Sequence, residues 1–366
     1  MEKLGSLVAP YVNADGLQGI INQTTPLLTV GWYNKRFVWG PQRNNLTYAT
    51  IVGNTRIASL ASVVDRDSAT PVRSRPGMQK ILGEIPAIKA YTFLKEEDAR
   101  LILEMQDLNA LNGGRLTEIL DLVFNDVKYI ADGVENRLDD FVAQGMCKGY
   151  VEINTTNNPD GIVQGGVIDL ALPTTNKLVS AADWGIAGTD IIADIILTTQ
   201  TAKRRGVSFQ TILVDVTRFY DILKNTSVQN FLKGFYNPGS NATYAVTLGQ
   251  INIALQANLL PVFELVDFTQ MVETDGVQVA YNPWVKNNVA FIPGGNLGVI
   301  HNARAIEDGL RPAANCTYAK AGRTLISKWS QNEPFREYTK GELNAFPGFE
   351  QINSIYIMKT DAVAWS

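Results

Sequence analysis

The sequence of 366 residues predicts an α+β fold. Three observations support this: one long amphipathic helix over 117–145, extended stretches on both sides of it, and an alternation of short strands and helices that begins near Gln210. Because 45% of its residues are hydrophobic, the chain can bury a sizeable core, and its length allows two or three lobes.

The N-terminal residues 1–45 mix apolar side chains with Asn, Gly, Thr and Pro, without helical or strand periodicity. Trp32, Phe37 and Trp39 are large apolar groups that must be covered, either by the body of the chain or by a neighbour. We therefore expect an irregular arm that does not fold alone.

Two extended stretches follow between residues 47 and 94, and they flank a charged, turn-rich tip at 65–77. The pattern predicts a long hairpin. Since two strands by themselves are marginally stable in water, we expect this hairpin to lie on another surface, such as that of another copy of the chain.

The strongest helix prediction is 117–145, where apolar residues recur every three or four positions along one face. A helix of this length spans roughly 43 Å, and Gly133 should weaken it by about 1 kcal/mol relative to Ala. Acidic residues follow the opposite face: Asp121, Asp132, Glu135 and Asp139.

The remaining elements are read from turns and caps. Residues 149–168 predict a hairpin turning at 157–161, Ser180 with Asp183 resembles a capping box, and a helix is expected from Thr189 to Gly206. A compact α/β lobe then follows, and the chain ends in a strand. The expected positions are strands at 212–216, 262–266, 270–281 (turning at 275–276), 289–292 and 354–359, and helices from Thr217 and over 248–257.

Charge argues against a clamp for nucleic acid. Charged residues make up 19% of the chain and the formal net charge is −4, whereas proteins that grip phosphates concentrate Lys and Arg on one face. The densest basic run, Lys203-Arg204-Arg205, lies at the end of a predicted helix, where cations oppose the helix dipole. A low charged fraction favours a surface that is covered by something other than water, such as copies of the chain.

No catalytic motif stands out. His301 is the one histidine, the two cysteines Cys147 and Cys316 have no metal-site spacing, and the glycine-rich run 293–298 is best explained as a tight turn. The carboxylate clusters at 96–98 and 139–140 are interpreted as solvated helix faces. We expect no enzyme activity, no cofactor and no metal. No apolar run approaches a membrane span and no secretory leader is evident, so we expect an intracellular, soluble chain.

The tip of the predicted hairpin carries three arginines. One hypothesis is that they dock on the acidic face of the long helix in an adjacent copy through charge-assisted hydrogen bonds; the alternative is a solvated hairpin end. The residues in this hypothesis are Arg66, Arg73 and Arg75 on the tip, and Asp121, Asp132 and Glu135 on the helix.

The order of arm, hairpin, long helix, second hairpin, α/β lobe and returning strands resembles the Hong Kong ninety-seven phage capsid fold. Within it the chain is most similar to the lambda-type major capsid proteins (capsid protein E family). The resemblance covers most of the chain in its arrangement, through short motifs at 72–77, 85–94, 95–100, 277–302 and 349–359.

The resemblance implies an N-arm, an extended loop, a peripheral domain with the helix 117–145 as its spine, and an axial domain. Their expected boundaries are 1–45, 46–95, 96–205 with 313–366, and 206–312, in that order. It also implies a major capsid protein of the virion that is assembled in the host cytoplasm. Copies would form hexamers and pentamers of an icosahedral shell around double-stranded DNA.

Other expected partners are a portal protein and scaffolding or decoration proteins, with only weak, non-specific contact to the packaged DNA and none to a membrane. Two alternatives stay open. One is an encapsulin-like shell around cargo enzymes, and the other is a soluble α/β enzyme.

Overall fold

The computed structural model describes residues 18 and 104 and the ranges 31–53, 78–101, 116–159, 166–236 and 246–365, with side chains except at 53, 78, 79 and 116–125. The described helices are α1 Leu116–Lys148, α2 Ile191–Arg204, α3 Val216–Lys224, α4 Thr226–Tyr236 and α5 Leu248–Ala257. Residues 96–101 are also helical, and short 3-10 helices lie at Trp32–Lys35, Thr174–Asn176 and Ile352–Ser354.

Strands are equally prominent, so the expected α+β class is confirmed. Their bounds are β1 Phe37–Arg43, β2 Thr47–Gly53, β3 Met78–Glu84, β4 Ala87–Lys95, β5 Tyr150–Ile153, β6 Gly166–Asp169, β7 Lys177–Val179, β8 Thr211–Asp215, β9 Val262–Val266, β10 Gln270–Thr274, β11 Val277–Tyr281, β12 Asn288–Ile292, β13 Gly298–Ala303, β14 Thr317–Ala321, β15 Thr324–Asn332, β16 Phe335–Gly348 and β17 Tyr356–Lys359.

The chain divides into two compact units. The first comprises Met1–Tyr48, Leu82–Asp140 and Val299–Gly348, and the second comprises Ala49–Ile81, Phe141–Gly298 and Phe349–Ser366. The division into arm, loop, peripheral and axial domains is not tested by these boundaries and stays a prediction.

The first unit is built on a sheet in the order β1-β13-β16-β15-β14, with β4 also paired to β16. Strand β16 is its centre, because it pairs antiparallel with β4 over 336–344, with β15 over 335–342 and with β13 over 344–348. Tyr48 stacks between His301 and Phe346, with ring centroids 5.2 and 5.3 Å away.

Helix α1 packs on this sheet through its apolar face, where Ile130, Val134 and Leu138 are buried. The contact is close enough that a Cβ built on Gly341 of β16 would lie 2.4 Å from Cγ2 of Ile130. Glycine at 341 therefore lets the helix and sheet backbones approach. The predicted helix 117–145 is confirmed, with three more residues at its C-terminal end.

The prediction that residues 1–45 lack regular structure is wrong for the described part. Residues 32–35 form a 3-10 helix and β1 joins the sheet beside β13. Phe37 is buried by the chain's own first unit. Gly40 and Pro41 hide the strand signal in the sequence, and pairing with a distant strand supplies the missing stabilisation.

The strand pairing of the expected long hairpin also differs from the prediction. Strand β2 pairs with β3, whereas β4 pairs along its whole length with β16. Pro86, which has no N–H, lies between β3 and β4 and interrupts the extended stretch. The expected tip at 65–77 lies outside the described residues.

The second unit contains a sheet in the order β7-β17-β12-β8-β9, in which β8 pairs parallel with β9 and β17 parallel with β7. Helices α2 to α5 cover it through a continuous apolar core that includes Trp184, Phe219 and Phe291. The predicted hairpins are confirmed as β5–β6 and β10–β11. The terminal strand is confirmed as β17, and the helix at 248–257 as α5.

The caps of α2 differ from expectation. The helix begins at Ile191, and the side chain of Asp190 accepts the Ala193 N–H at 3.1 Å, so Thr189 is not the cap. Asp183 does not form a capping box with Ser180, because it accepts hydrogen bonds from the Gly185 N–H and Arg218. The ion pair with the buried Arg218 is stronger than a helix cap, so this long-range contact determines where the Asp183 side chain binds.

Candidate functional site

The sequence hypothesis concerned three arginines and three acids. Arg66, Arg73 and Arg75 lie outside the described residues, as does the side chain of Asp121. The structure places Asp132 and Glu135 on α1, both half-buried. Docking of the arginine tip on a neighbouring helix therefore stays a prediction.

The acidic face of α1 binds a segment of its own chain. Asp139 accepts two backbone N–H groups, from Trp32 at 3.0 Å and from Tyr33 at 2.9 Å. Tyr33 Oη donates to Glu135 at 2.6 Å, and Tyr33 is buried. These three bonds attach the 3-10 helix Trp32–Lys35 to α1.

Burial controls the electrostatics of this attachment. It raises the pKa of Asp139 to about 6, although the hydrogen bonds from Tyr33 and Trp32 act in the opposite direction. Burial also raises the pKa of Glu135, against the hydrogen bond from Tyr33, and it raises the pKa of Tyr33. Desolvation of the charged form is the dominant cause in each case.

The interpretation of Asp139 and Asp140 as solvated residues is wrong. Both are buried, and Asp140 pairs with Arg137 at 3.0 Å. A buried carboxylate needs partners to offset its desolvation, and the backbone donors at 32 and 33 come from a segment over 100 residues away in sequence. Helical periodicity carries no signal for such partners.

A second buried charge site was missed in the sequence. Lys328 and Glu337 lie 3.7 Å apart on neighbouring strands with side chains 2% exposed, and Lys328 Nζ has no hydrogen-bond partner. Asp126 on α1 belongs to the same group of charges: its burial raises its pKa, while Lys328 lowers it. These charges lie between the helix and the sheet of the first unit.

Cys147 and His301, the side chains that could serve as a nucleophile or a base, are both buried. Cys147 is buried, its Sγ accepts the Val285 N–H at 3.1 Å, and burial raises its pKa to about 12. His301 is buried beside Tyr48, and burial lowers its pKa. The Cys147 thiol, with its raised pKa, stays protonated near neutral pH and is a poor nucleophile.

The described part of the chain shows neither a metal site nor a membrane-spanning helix. Among those residues, no group of three or more His, Cys, Asp or Glu side chains is placed to hold a metal ion. None of the described helices combines the length and the apolar character that a membrane crossing requires.

What the second unit does present is exposed apolar surface. Leu259 at the end of α5 is 80% exposed, and Val277 and Val279 on β11 are 63% and 57% exposed. A groove of about 290 Å³ lies next to Leu259 and is lined in part by Ile196, Phe231 and Leu260. Leu259 and the adjoining apolar groove form one exposed apolar patch, and such patches mark interaction surfaces.

Comparison with solved structures gives the fold an independent basis. A protein described as a prophage capsid protein of E. coli CFT073 superposes with a TM-score of 0.56 at 12% identity, covering 95% of this chain and 99% of that one. A phage-related protein of Bordetella bronchiseptica RB50 gives 0.53 at 12% identity, with 94% and 97% covered. The mature capsid of bacteriophage PhiM1 is more distant, with a TM-score of 0.48 at 10% identity and 91% and 87% covered.

No protein-family model and no curated protein matches the chain. The fold is therefore established by the first two structures, over nearly their whole length. The phage capsid fold expected from the order of elements is confirmed. The lambda-type placement within that fold stays a prediction.

Proposed function

We propose that this chain is a major capsid protein, which associates with copies of itself to form the icosahedral head shell of a tailed bacteriophage. The observation that supports the proposal best is the match to a prophage capsid protein over 95% of this chain and 99% of that one. The match extends over nearly the whole length of both chains, so the shared fold is not limited to one lobe.

The surface of the chain is compatible with this role. Apolar side chains are exposed on both units, and an assembly of copies would cover them. A shell repeats each contact many times, and stable interfaces of permanent assemblies reach the class of roughly 2,000 Å² or more. Contacts that are individually weak are then sufficient to hold the shell together.

Self-association gains only partial support from the N-terminal arm and the extended loop. The N-terminal arm and the extended loop are expected to need a neighbour, and the chain's own first unit covers only part of them: Phe37 and Ile88 are buried, whereas Val38 and Tyr91 are 52% and 66% exposed. The proposal therefore rests on the fold and on the exposed apolar surface of both units.

Further parts of the proposal follow from the role. Copies would occupy hexamers and pentamers, with portal protein and scaffolding or decoration proteins as partners, and the shell would be part of the virion. A net charge of −4 favours weak contact with the packaged DNA, which leaves the genome able to slide.

Electron microscopy of the expressed chain, alone and together with its genomic neighbours, tests the proposal. We expect closed shells, which enclose DNA when the packaging partners are present. A small shell filled with protein would favour the encapsulin-like alternative. A stable 40.2 kDa monomer on size-exclusion chromatography under all these conditions would contradict a shell role and favour the enzyme.

A further inference from the structure

The C-terminal end of α5 has an unusual residue in a common motif. The Leu259 N–H donates to Gln256 O and the Leu260 N–H donates to Leu255 O, both at 3.0 Å. These two bonds define a Schellman end, whose first residue beyond the cap is left-handed and is usually glycine. Here that residue is Leu259, with φ of 57°.

Helix α2 provides an internal comparison. It ends with the same two bonds, from Gly206 N–H to Lys203 O and from Val207 N–H to Ala202 O, both at 3.0 Å. Its left-handed residue is a glycine, with φ of 83°. The same helix end in α2 thus carries glycine, which adopts this conformation without strain, whereas the exposed Leu259 adopts it at a cost in backbone strain.

Leu259 stands at the rim of the groove described above. The groove has apolar walls from Ile196, Phe231 and Leu260, and Lys203 also lines it. The next two residues, Arg204 and Arg205, are exposed as well. The result is an apolar groove with one cation, Lys203, in its wall.

The complementary surface is the hairpin β10–β11. Within the described residues it is a two-stranded sheet, and its register pairs Val279 with Val272 and Val277 with Thr274. Alternation therefore puts Val277 and Val279 on one face, where both are exposed. The turn carries the exposed Asp275. The hairpin combines an uncovered apolar face with an acidic tip.

We propose that the hairpin 270–281 of one copy docks in the groove beside Leu259 of the next copy. Val277 and Val279 would pack against Leu259 and the apolar walls, and Asp275 would face Lys203. Apolar surface meets apolar surface and opposite charges meet, which favours this pairing over one between two hairpins. The two surfaces differ, so the contact can repeat head-to-tail from copy to copy, and a rotation that closes would give the ring that a capsomer requires. This inference rests on the proposed function.

The first test is Leu259→Gly. Glycine relieves the left-handed strain, so we expect the melting temperature of the subunit to be unchanged or higher. The same change removes the apolar anchor, so the concentration needed for half-assembly should rise by about tenfold or more. Ile253→Ala is the matched control, because Ile253 is 56% exposed on the same helix and does not line the groove. It should leave assembly unchanged.

The outcomes separate the two proposals. If the unaltered chain forms shells and Leu259→Gly forms them equally well, or if Ile253→Ala fails in the same way, the docking contact is wrong and the capsid role stands. If the unaltered chain never assembles, the capsid role fails and the contact fails with it.

Cysteine crosslinking locates the contact directly. In a Cys316→Ser background, oxidation of the double variant Leu259→Cys with Val279→Cys should give a ladder of covalent oligomers on a non-reducing gel. Neither single variant should do so. Dimers from Val279→Cys alone would mean that hairpins pair with each other, and this would overturn the head-to-tail contact.

Discussion

Asp139 shows how one buried carboxylate connects two distant parts of the chain. Its two oxygens accept hydrogen bonds from the backbone N–H groups of Trp32 and Tyr33, so neither buried oxygen lacks a donor. The acid was interpreted from sequence as solvated, because a helix pattern shows which residues share a face and leaves open what covers that face.

A pH dependence of stability follows from Asp139. Its pKa is about 6 in the folded chain and 3.8 for an exposed aspartate, so folding favours the protonated form. The associated stabilisation is fully present below pH 3.8 and is lost as the pH rises through about 6. The free energy of unfolding should fall by about 3 kcal/mol over this pH range.

Urea unfolding across this range checks the expectation. The free energy of unfolding of the unaltered chain should decline with pH relative to that of Asp139→Asn, which does not titrate. Tyr33→Phe keeps both backbone bonds to Asp139 and should retain the decline. Parallel pH profiles for the unaltered chain and Asp139→Asn would contradict the assignment.

The pair Lys328–Glu337 leads to a second prediction at the residue scale. Lys328→Met would leave Glu337 buried without its cation, at a cost of about 3–5 kcal/mol in the free energy of unfolding. Adding Glu337→Leu should recover most of this loss, since two buried charges are then replaced by apolar groups.

The control is the pair Lys89–Glu342, in which Lys89 is half exposed. Lys89→Met should cost no more than about 1 kcal/mol, because solvent screens that pair. Chemical denaturation measures all three variants. Equal effects of Lys328→Met and Lys89→Met would show that burial does not dominate at this site.

At the scale of elements, the contact between α1 and β16 can be tested with two glycines. Gly341→Ala places a Cβ against Ile130 and should destabilise the fold by about 1–3 kcal/mol. Gly133→Ala has nothing within 4 Å of the new Cβ and should stabilise the same helix by about 1 kcal/mol. Thermal unfolding should therefore move in opposite directions for the two variants, and shifts of the same sign would contradict the close approach.

The elements that sequence predicted well share a local cause. Helix α1, helix α5 and the hairpin β10–β11 each carry their signal within one stretch, as a periodicity of 3.6 or 2 or as the turn Asp275-Gly276. The elements that were missed or mispaired depend on distant partners. Strand β1 needs β13, and β4 pairs with β16 instead of β2. Propensity cannot identify a partner over 200 residues away.

For the molecule as a whole, the exposed apolar side chains should respond to assembly. A dye that binds exposed hydrophobic surface should bind the isolated subunit, and its fluorescence per subunit should fall as light scattering reports shell growth. Leu259→Gly subunits that stay unassembled should keep the signal. Unchanged fluorescence in fully formed shells would mean that Leu259 and the β11 valines remain exposed to solvent.

The sequence by itself determined the α+β class, the long helix, the strands β8 to β12 and β17, and the order of elements that resembles a phage capsid protein, because these depend on local periodicity and on turn chemistry. Only the tertiary structure decided which segments cover one another. It buried Asp139 beneath residues 32–33, placed β4 on β16 and left Leu259 exposed in a left-handed turn. The physical reason is that burial and strand pairing are properties of contacts between distant residues, and the free energy of those contacts is set by which surfaces meet.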